Sequence, residues 1–340
     1  MRRTASTLLR IVISFGLLAL LGFLFRNRLA QCLLTVLQAE MKFLFLALLT
    51  YILFIWISAW RWQILLTAQG LIYPARFLAQ VFTLGLFFCK LLPTSIGGDV
   101  MRIAYTSKPN KGAEAFSATL LDRLIGFESL TFLAVVMALF LTLSRTGRLS
   151  LGKGALTGAT VVILLLIIFL GLVLINAILF NDRCHNLARR IFAHLPLRLH
   201  RLTAPLDRAY EAVKRYRHHS QALGLSFISG IGVQAALSLA WFFCARSVRS
   251  MVPIGYYFVF IPLLNIVVNI PTIGGLGVRE AAFIAFFTPG WLPKKMNPDQ
   301  ALATALIFLG LDLVFALIGG LIFAFTPRRT RPETIKKEAS

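Results

Sequence analysis

Two similar segments of the sequence carry the residues best suited to bind an anion. Residues 93–102 read PTSIGGDVMR and residues 271–279 read PTIGGLGVR, so each runs from a proline through paired glycines to an arginine, Arg102 or Arg279. Proline and paired glycines interrupt a helix and allow a new one to begin. Free N–H groups at a helix start attract anions, and a guanidinium offers a two-pronged donor for phosphate. We therefore predict that Arg102 and Arg279 bind phosphate at two helix breaks.

The residues predicted to break these helices are Pro93, Gly97, Gly98, Pro271, Gly274, Gly275 and Gly277. Ionisable residues inside apolar runs form a second set of candidates, because a charge at membrane depth is costly and needs a partner. Neighbours on a helix do not face each other, so each of two adjacent ionisable residues should pair with another segment of the chain. The candidates for charge pairing or coupling are Asp122, Arg123, Glu128, Glu280 and Asp312. The candidates for substrate binding are Arg61, Asp99, Arg102 and Arg279.

These candidates have structural alternatives that the sequence leaves open. Arg102 and Arg279 are equally consistent with buried ion pairs that hold the chain together, and both roles are compatible. The acidic partners in that case would be Asp122, Asp312 and Glu280. Arg61 lies between two tryptophans, a pattern typical of an interfacial aromatic belt with an arginine that extends to the headgroups. Lys90 flanks a short apolar run, where the same extension is the default expectation.

The overall composition is that of a membrane protein. Of the 340 residues, 58% are hydrophobic and the mean hydropathy is +0.79, which a soluble fold could not hide. The formal net charge of +22 comes from Lys and Arg residues that lie between long uncharged runs. That distribution is typical of topology signals and of contacts with lipid headgroups, so we expect membrane lipids as partners and no nucleic acid.

Six apolar runs approach or exceed the length of about 20 residues that a helix needs to cross a bilayer. They are Leu8–Phe25, Phe43–Leu66, Ala115–Leu143, Gly154–Phe180, Gln221–Ala245 and Gln300–Phe325. The first run follows two arginines and has no small-residue cleavage site after it, so we expect an uncleaved span rather than a signal peptide.

Two further apolar regions are broken. The run Phe77–Cys89 is short and leads into the first proline–glycine segment. The run Pro253–Val278 is cut by Pro262 and by the second such segment, and the short run Ala281–Pro293 follows it. Broken backbone at membrane depth survives only where protein or a wet cavity satisfies its polar groups. We predict an all-α polytopic membrane protein with about six full transmembrane helices and two re-entrant hairpins, about eight hydrophobic segments in all.

Basic segments predict the orientation of the chain. The Arg2-Arg3 pair, residues 181–220 and the tail at 328–340 are rich in Lys and Arg, and such segments stay in the cytoplasm. All three fall inside only if each hairpin leaves the membrane on the side where it entered. The first hairpin then opens to the cytoplasm and the second to the outside. This predicts a protein of the inner (plasma) membrane with both termini cytoplasmic.

The predicted transmembrane domain, residues 1–327, reads as an inverted repeat. Its halves, about 8–143 and 154–325, each contain two spans, a hairpin and a third span that carries a buried-looking acid, Asp122 or Asp312. Opposite orientation of the halves follows from the predicted topology. Inverted repeats with interrupted segments in matching positions indicate the central site of a transporter.

The basic loop at 181–220 offers little for catalysis. Residues 187–217 predict one or two short basic helices on the membrane surface, with breaks at Pro196 and Pro205. All five histidines lie in this loop, and the four cysteines have no metal-ligand spacing. The sequence contains no phosphate-binding loop of the ATPase type. We therefore expect no metal, no cofactor and no catalytic residue.

Several short blocks occur in an order known from one membrane family. They are LP and GGD before Arg102, LDRL at 121–124, PTIGGLGVRE at 271–280, and WRW at 60–62. On these blocks the chain resembles the transmembrane, flippase-like region of lysylphosphatidylglycerol synthases, a family that includes stand-alone membrane proteins. The resemblance covers nearly the whole chain and implies movement of a lipid between leaflets. The soluble domain that attaches the amino acid is expected to be absent, so the resemblance implies a translocase rather than a synthase.

The leading hypothesis is a lipid translocase that moves a phospholipid or modified lipid across the inner membrane. One alternative is a membrane enzyme that acts on a lipid-linked substrate, and turnover of a headgroup would distinguish it. Another is a non-transporting partner of a separately encoded envelope-lipid synthase. In that case substitution of the buried polar residues would reduce protein abundance rather than activity.

Overall fold

The computed structural model describes residues 34–91, 97–144, 150–151, 156–181, 203–268, 277–289, 292 and 294–325. The predicted first span, Leu8–Phe25, lies outside the described residues, and so do the predicted helix breaks Pro93, Pro271, Gly274 and Gly275.

Nearly every described element is a helix. After helical residues 34–37, the helices are α1 (Met41–Ala68), α2 (Ala75–Leu91), α3 (Gly97–Thr106), α4 (Gly112–Leu143), α5 (Gly158–Leu179), α6 (Thr203–Lys214), α7 (Ser220–Ser247), α8 (Ile254–Val267), α9 (Val278–Phe287) and α10 (Pro298–Phe325). A 3-10 turn, Arg215–His218, follows α6, and two-residue strands, β1 (Ser150–Leu151) and β2 (Leu156–Thr157), pair antiparallel before α5. The prediction of an all-α polytopic fold is confirmed, with that short ladder as the exception.

Five of the described helices, α1, α4, α5, α7 and α10, are long and apolar enough to cross a membrane. Their sequences are apolar on every side, and a helix satisfies all its own backbone groups, as lipid requires. Within the apolar windows of these helices, half of α7 is buried but only 11% of α5. Helix α7 is therefore central to the bundle, whereas α5 lies at its edge and packs mainly on α4.

One predicted span began at the wrong residue. The run from Gly154 predicted a helix to Phe180, but α5 begins at Gly158 because residues 156–157 pair with residues 150–151 as strands. Hydropathy could not reveal this, since an apolar strand end and an apolar helix start have the same composition.

Helices α2 and α3 form the first hairpin and pack closely through glycines. A Cβ added at Gly98 would lie 2.7 Å from the carbonyl oxygen of Gly85, so only glycine fits there. At the open end, the hydroxyl of Tyr73, before α2, donates to the carbonyl of Thr106, the last residue of α3, at 3.0 Å. The hairpin therefore starts and finishes at the same end of the bundle.

Helices α8 and α9 form the second hairpin, and here one prediction was wrong. Pro262 lies inside α8 and does not cut it. A proline removes one backbone hydrogen-bond donor from the helix. Helix α8 tolerates this loss because it is packed against α4 and α7. Helix α9 spans Val278–Phe287 and so overlaps the first part of the apolar run Ala281–Pro293. It begins directly after Gly277, whose φ of 81° favours glycine.

The hairpins are exchanged between the two halves of the chain. Helix α2 packs against α10, the last helix of the second half, and α8 packs against α4, the last described long helix before α5. A Cβ added at Gly319 of α10 would overlap the carbonyl of Thr83 in α2, which shows how closely these backbones approach. The same arrangement occurs twice, as a two-fold relation between the halves would produce.

Helices α1 and α7 form the central pair and run antiparallel. The N–H of Glu40, just before α1, donates to the carbonyl of Ser247, the last residue of α7, at 2.9 Å. Trp62 and Trp241 occupy the same position counted from the first residues of α1 and α7, and both are fully buried. Equivalent helices of the two halves therefore point in opposite directions.

Helix α6 and its 3-10 turn are attached to one end of the bundle. The Tyr216 hydroxyl donates to the carbonyl of Leu65 at 2.8 Å, and the Gln69 side chain donates to the carbonyl of Ala212 at 2.7 Å. The predicted break at Pro205 is incorrect, because this residue lies in the first turn of α6, where a helix accepts proline.

Candidate functional site

The structure contains two clusters of buried charged residues, each built on an arginine–aspartate pair from one half of the chain. The first cluster surrounds Asp122. Arg61 Nε of α1 donates to Asp122 Oδ1 at 2.7 Å, and Arg102 Nη2 of α3 donates to Asp122 Oδ2 at 2.8 Å. The exposed fraction is 7% for Arg61, 6% for Arg102 and 2% for Asp122. Arg61 is thus paired inside the protein. The alternative suggested by its flanking tryptophans, in which Arg61 extends to the headgroups, does not occur in this structure.

Asp99 and Arg123 extend this cluster. Asp99 Oδ1, in the first turn of α3, lies 3.5 Å from Arg102 Nη1, and Asp99 Oδ2 pairs with Arg123 Nε. Asp122 and Arg123 are adjacent on α4 and both pair with α3, through Arg102 and Asp99, while Asp122 also pairs with Arg61 of α1. We call these five residues, Arg61, Asp99, Arg102, Asp122 and Arg123, the first centre.

Aromatic rings position the guanidinium of Arg102. Its Cζ lies 4.2 Å from the ring centroid of Trp62 and 5.4 Å from that of Phe82. A ring face attracts a cation most strongly where water is excluded, and Trp62 is fully buried. Arg102 is therefore fixed both by ion pairs along one edge of the guanidinium and by stacking on its face.

The second centre is built around Asp312 of α10. Asp312 Oδ2 accepts from Arg279 Nη1 at 2.6 Å and lies 2.7 Å from Lys90 Nζ. Asp312 Oδ1 accepts from the Tyr51 hydroxyl at 2.7 Å. Lys90 and Tyr51 belong to α2 and α1, so this centre joins the two halves of the chain.

Glu280 completes the second centre and begins α9. Its Oε2 accepts from the N–H of Gly277 at 2.7 Å, and its Oε1 accepts from Arg279 Nε and Nη2, each at 3.3 Å. Arg279 Cζ also lies 5.4 Å from the ring of Phe308. We use the name second centre for Tyr51, Lys90, Arg279, Glu280 and Asp312.

The two centres are equivalent in their core. In each, the arginine that follows a Pro…Gly-Gly segment pairs with the aspartate of the next long helix: Arg102 with Asp122, and Arg279 with Asp312. Helix α1 contributes to both centres, with Tyr51 in the second and Arg61 in the first, so the distance between these residues along the helix gives the separation of the centres. Ten residues along a helix correspond to about 15 Å.

A cavity of about 330 Å³ opens beside the first centre. All five residues of that centre line it, together with residues of α2, α7 and α8. Both halves of the chain therefore contribute walls to one polar cavity within an apolar bundle. A cavity of this size suits a headgroup rather than an entire lipid.

The family model for the lysylphosphatidylglycerol synthase TM region matches residues 7–320. The chain belongs to this family. Comparison with curated proteins and with solved structures gives no match. Membership of the lysylphosphatidylglycerol synthase TM family establishes a polytopic membrane protein whose function is related to lipids.

Glu128, which the sequence suggested as a candidate for charge pairing or coupling, lies away from both centres. The Asn176 side chain of α5 donates to Glu128 Oε1 at 2.6 Å, so Glu128 links α4 to the edge helix.

Gly97 and Gly98 begin α3 and Gly277 caps α9, each next to a centre. Within the described ranges, no group of three or more His, Cys, Asp and Glu residues could hold a metal ion.

The sequence did not identify three residues of these sites. Lys90 was expected at the interface, but it pairs with Asp312, and Tyr51 was not considered. Ser58 lines the cavity one turn before Arg61. The position of Lys90 just before a helix break could have indicated a buried role. Nothing in the local sequence distinguishes Tyr51 or Ser58 from packing residues.

Proposed function

We propose that this protein moves a lipid with an anionic or zwitterionic headgroup between the leaflets of the inner membrane. The observation that carries the proposal is the polar cavity between two equivalent halves, each with a buried arginine–aspartate pair. A headgroup that crosses hydrocarbon loses its water, which costs several kcal/mol for an unpaired ion. Fixed charges in a central cavity offset that loss.

The proposed mechanism uses the two hairpins as the moving or opening elements of the halves. Each hairpin is re-entrant in this proposal, the first open to the cytoplasm and the second to the outside, with both termini in the cytoplasm. The antiparallel α1 and α7 support this arrangement. Interrupted helices around a midplane site occur in transporters built from inverted repeats, where the halves rock about the site.

The test is transfer of a fluorescent phospholipid across proteoliposome membranes, followed by loss of the accessible fluorescence to a membrane-impermeant reductant. We expect transfer by the parental protein and little transfer by Arg102→Gln, with Arg102→Lys partly active because it keeps the charge but loses the fork. Each variant is normalised to folded protein by its size-exclusion profile. Transfer no faster than that of empty liposomes would contradict the proposal.

A further inference from the structure

Three buried hydrogen-bond donors on the wall of the cavity have no partner. They are Ser58 Oγ, Arg61 Nη1 and Arg102 Nε, on side chains whose exposed fraction is 7% or less. Leaving a buried donor unsatisfied is unfavourable, and more so when the group is charged. Three such donors on one cavity indicate a ligand with several acceptor atoms.

The donors are held in a fixed arrangement. Ser58 and Arg61 are three residues apart on α1, so they share one face of the helix. Arg61 and Arg102 are joined through the two oxygens of Asp122, which leaves their remaining N–H groups outside the pair. Two guanidinium groups bridged in this way present donors at separate points, as a tetrahedral oxyanion requires.

The guanidinium of Arg61 packs closely against Gly126 of α4. A Cβ added at Gly126 would lie 3.2 Å from Arg61 Nη1 and 3.3 Å from Nη2, and Gly126 itself lines the cavity. Any larger residue on this face of α4 would crowd the guanidinium. The glycine therefore allows Arg61 to take up its position on the cavity wall.

The charge of the lining limits the ligand further. Among the described residues that line the cavity, the ionised ones are three arginines and two aspartates: Arg61, Arg102, Arg123, Asp99 and Asp122. The formal charges of these five side chains sum to +1, and a net charge in a membrane interior is costly. A ligand with a single negative charge would balance it, whereas a dianion would reverse the sign.

The second centre lacks these properties. All three nitrogens of the Arg279 guanidinium donate to Asp312 or Glu280. Two cations, Lys90 and Arg279, face two carboxylates, so the charge is balanced without a ligand.

We propose that the first centre alone binds one singly charged phosphate oxyanion, a phosphodiester, with Ser58, Arg61 and Arg102 as donors. The site deepens the proposed lipid translocation, on which it rests for the source of the phosphate. The same chemistry would come from a lipid headgroup or from a free phosphate ion, and the experiment separates these sources.

The experiment is equilibrium binding to the full chain in neutral detergent, by calorimetry and by the shift of the melting temperature. The probes are dioctanoyl phosphatidylglycerol, a singly charged diester; dioctanoyl phosphatidic acid, a monoester; dioctanoylglycerol, which is uncharged; and inorganic phosphate. We expect one molecule of the diester to bind per chain, more tightly than the monoester, and no saturable binding of the uncharged lipid. If inorganic phosphate binds and competes while the diester does not bind, the site takes free phosphate and the lipid source is wrong.

Two variants change the site without removing its charge. Arg61→Lys keeps an ion pair with Asp122 but lacks the second nitrogen, and Gly126→Ala places a methyl group beside it. Each should weaken diester binding about tenfold or more. The matched controls are Arg246→Lys, near the end of α7, and Gly310→Ala, where an added Cβ meets nothing within 4 Å. Both controls should bind as the parental chain does.

Two outcomes overturn the site. One is the absence of saturable binding of any phosphate probe by the folded parental chain, which would mean that the three donors bind only water. The other is diester binding that both Arg61→Lys and Gly126→Ala leave unchanged. Lipid transfer in proteoliposomes without Arg61-dependent binding rejects the site alone, whereas binding without transfer rejects the translocase alone.

Discussion

The two charge centres share an arginine–aspartate pair but differ in what surrounds it. In the first, the additional residues are two arginines and one aspartate, and donors remain unpaired beside a cavity. In the second, Lys90 and Tyr51 reach across from the other half and every nitrogen of Arg279 is used. Equivalent positions in a repeated scaffold have thus acquired different surroundings. The first is suited to accept a ligand, and the second is suited to hold the halves together.

The largest expected effect concerns the opposite orientation of the halves, and it is all-or-none. In the variants Lys108→Cys and Asn297→Cys, only the thiol at 297 should react with an impermeant maleimide in intact spheroplasts. Residue 108 follows the first hairpin at the end of the bundle that carries the basic α6 region, which should face the cytoplasm. Both positions are exposed, so both should react after lysis. Labelling of position 108 alone would reverse the topology, and labelling of both in intact cells would remove the inverted relation.

Removal of the central carboxylates should give the next largest effect, and it should differ between the centres. Asp122→Asn leaves Arg61 and Arg102 without their shared partner in a region that already has excess positive charge. We expect a loss of about 3–5 kcal/mol in the free energy of unfolding. Asp312→Asn should cost less, because Glu280 still pairs with Arg279. Titration of mixed micelles with a denaturing detergent measures the free energy of unfolding of both variants. Glu128→Gln serves as a control outside the two centres. Equal losses would show that the difference in charge has no energetic consequence.

Removal of one cation from each centre sharpens the comparison. Lys90→Met leaves the second centre with an excess carboxylate and should lower the free energy of unfolding by about 2–3 kcal/mol. Arg123→Met brings the first centre to neutrality and removes a partly exposed pair, so about 0–1 kcal/mol is expected. The same unfolding assay compares them. A larger loss for Arg123→Met would contradict the assignment of the excess positive charge to the first centre.

A smaller effect than that of Lys90→Met is predicted for loss of the Tyr51 hydroxyl. Tyr51→Phe removes one hydrogen bond to Asp312, which retains its two cations, so a loss of about 1.5 kcal/mol is expected. Tyr256→Phe is the matched control, since that buried hydroxyl has no partner and its removal should be neutral. Thermal unfolding of the purified variants compares the stability of Tyr51→Phe with that of Tyr256→Phe. Indistinguishable behaviour of the variants would show that Tyr51 does not support the second centre.

The long helices could be predicted closely because a run of apolar residues is a local property of the chain. Helix α4 nevertheless begins at Gly112 rather than Ala115, since Glu114 in its first turn pairs with Arg215 and hydropathy ignores such polar ends. Pro262 was interpreted as a break because the sequence does not show the packing that tolerates it. Local patterns determine where helices form more firmly than where they stop.

The candidate site could be predicted in part for the same reason. Asp122 was identified as a candidate because it interrupts an apolar run, and Arg102 because it follows a Pro…Gly-Gly segment. The partners of Asp312 could not be predicted, because Tyr51 is 261 residues away in the chain and looks like any other buried aromatic residue. Whether Arg102 binds phosphate or only pairs internally stays a prediction, and the binding experiment decides it.

The exchange of hairpins between halves has a consequence for biosynthesis. Helix α2 packs against α10, the last of the described helices, and Lys90 of α2 pairs there with Asp312. At about 5–20 residues per second, a ribosome needs about 10 to 45 s to translate the chain from residue 90 to residue 312. During that interval the first hairpin lacks the surface of α10 and the carboxylate of Asp312. Final assembly of the amino-terminal half therefore has to follow synthesis of the carboxyl-terminal half.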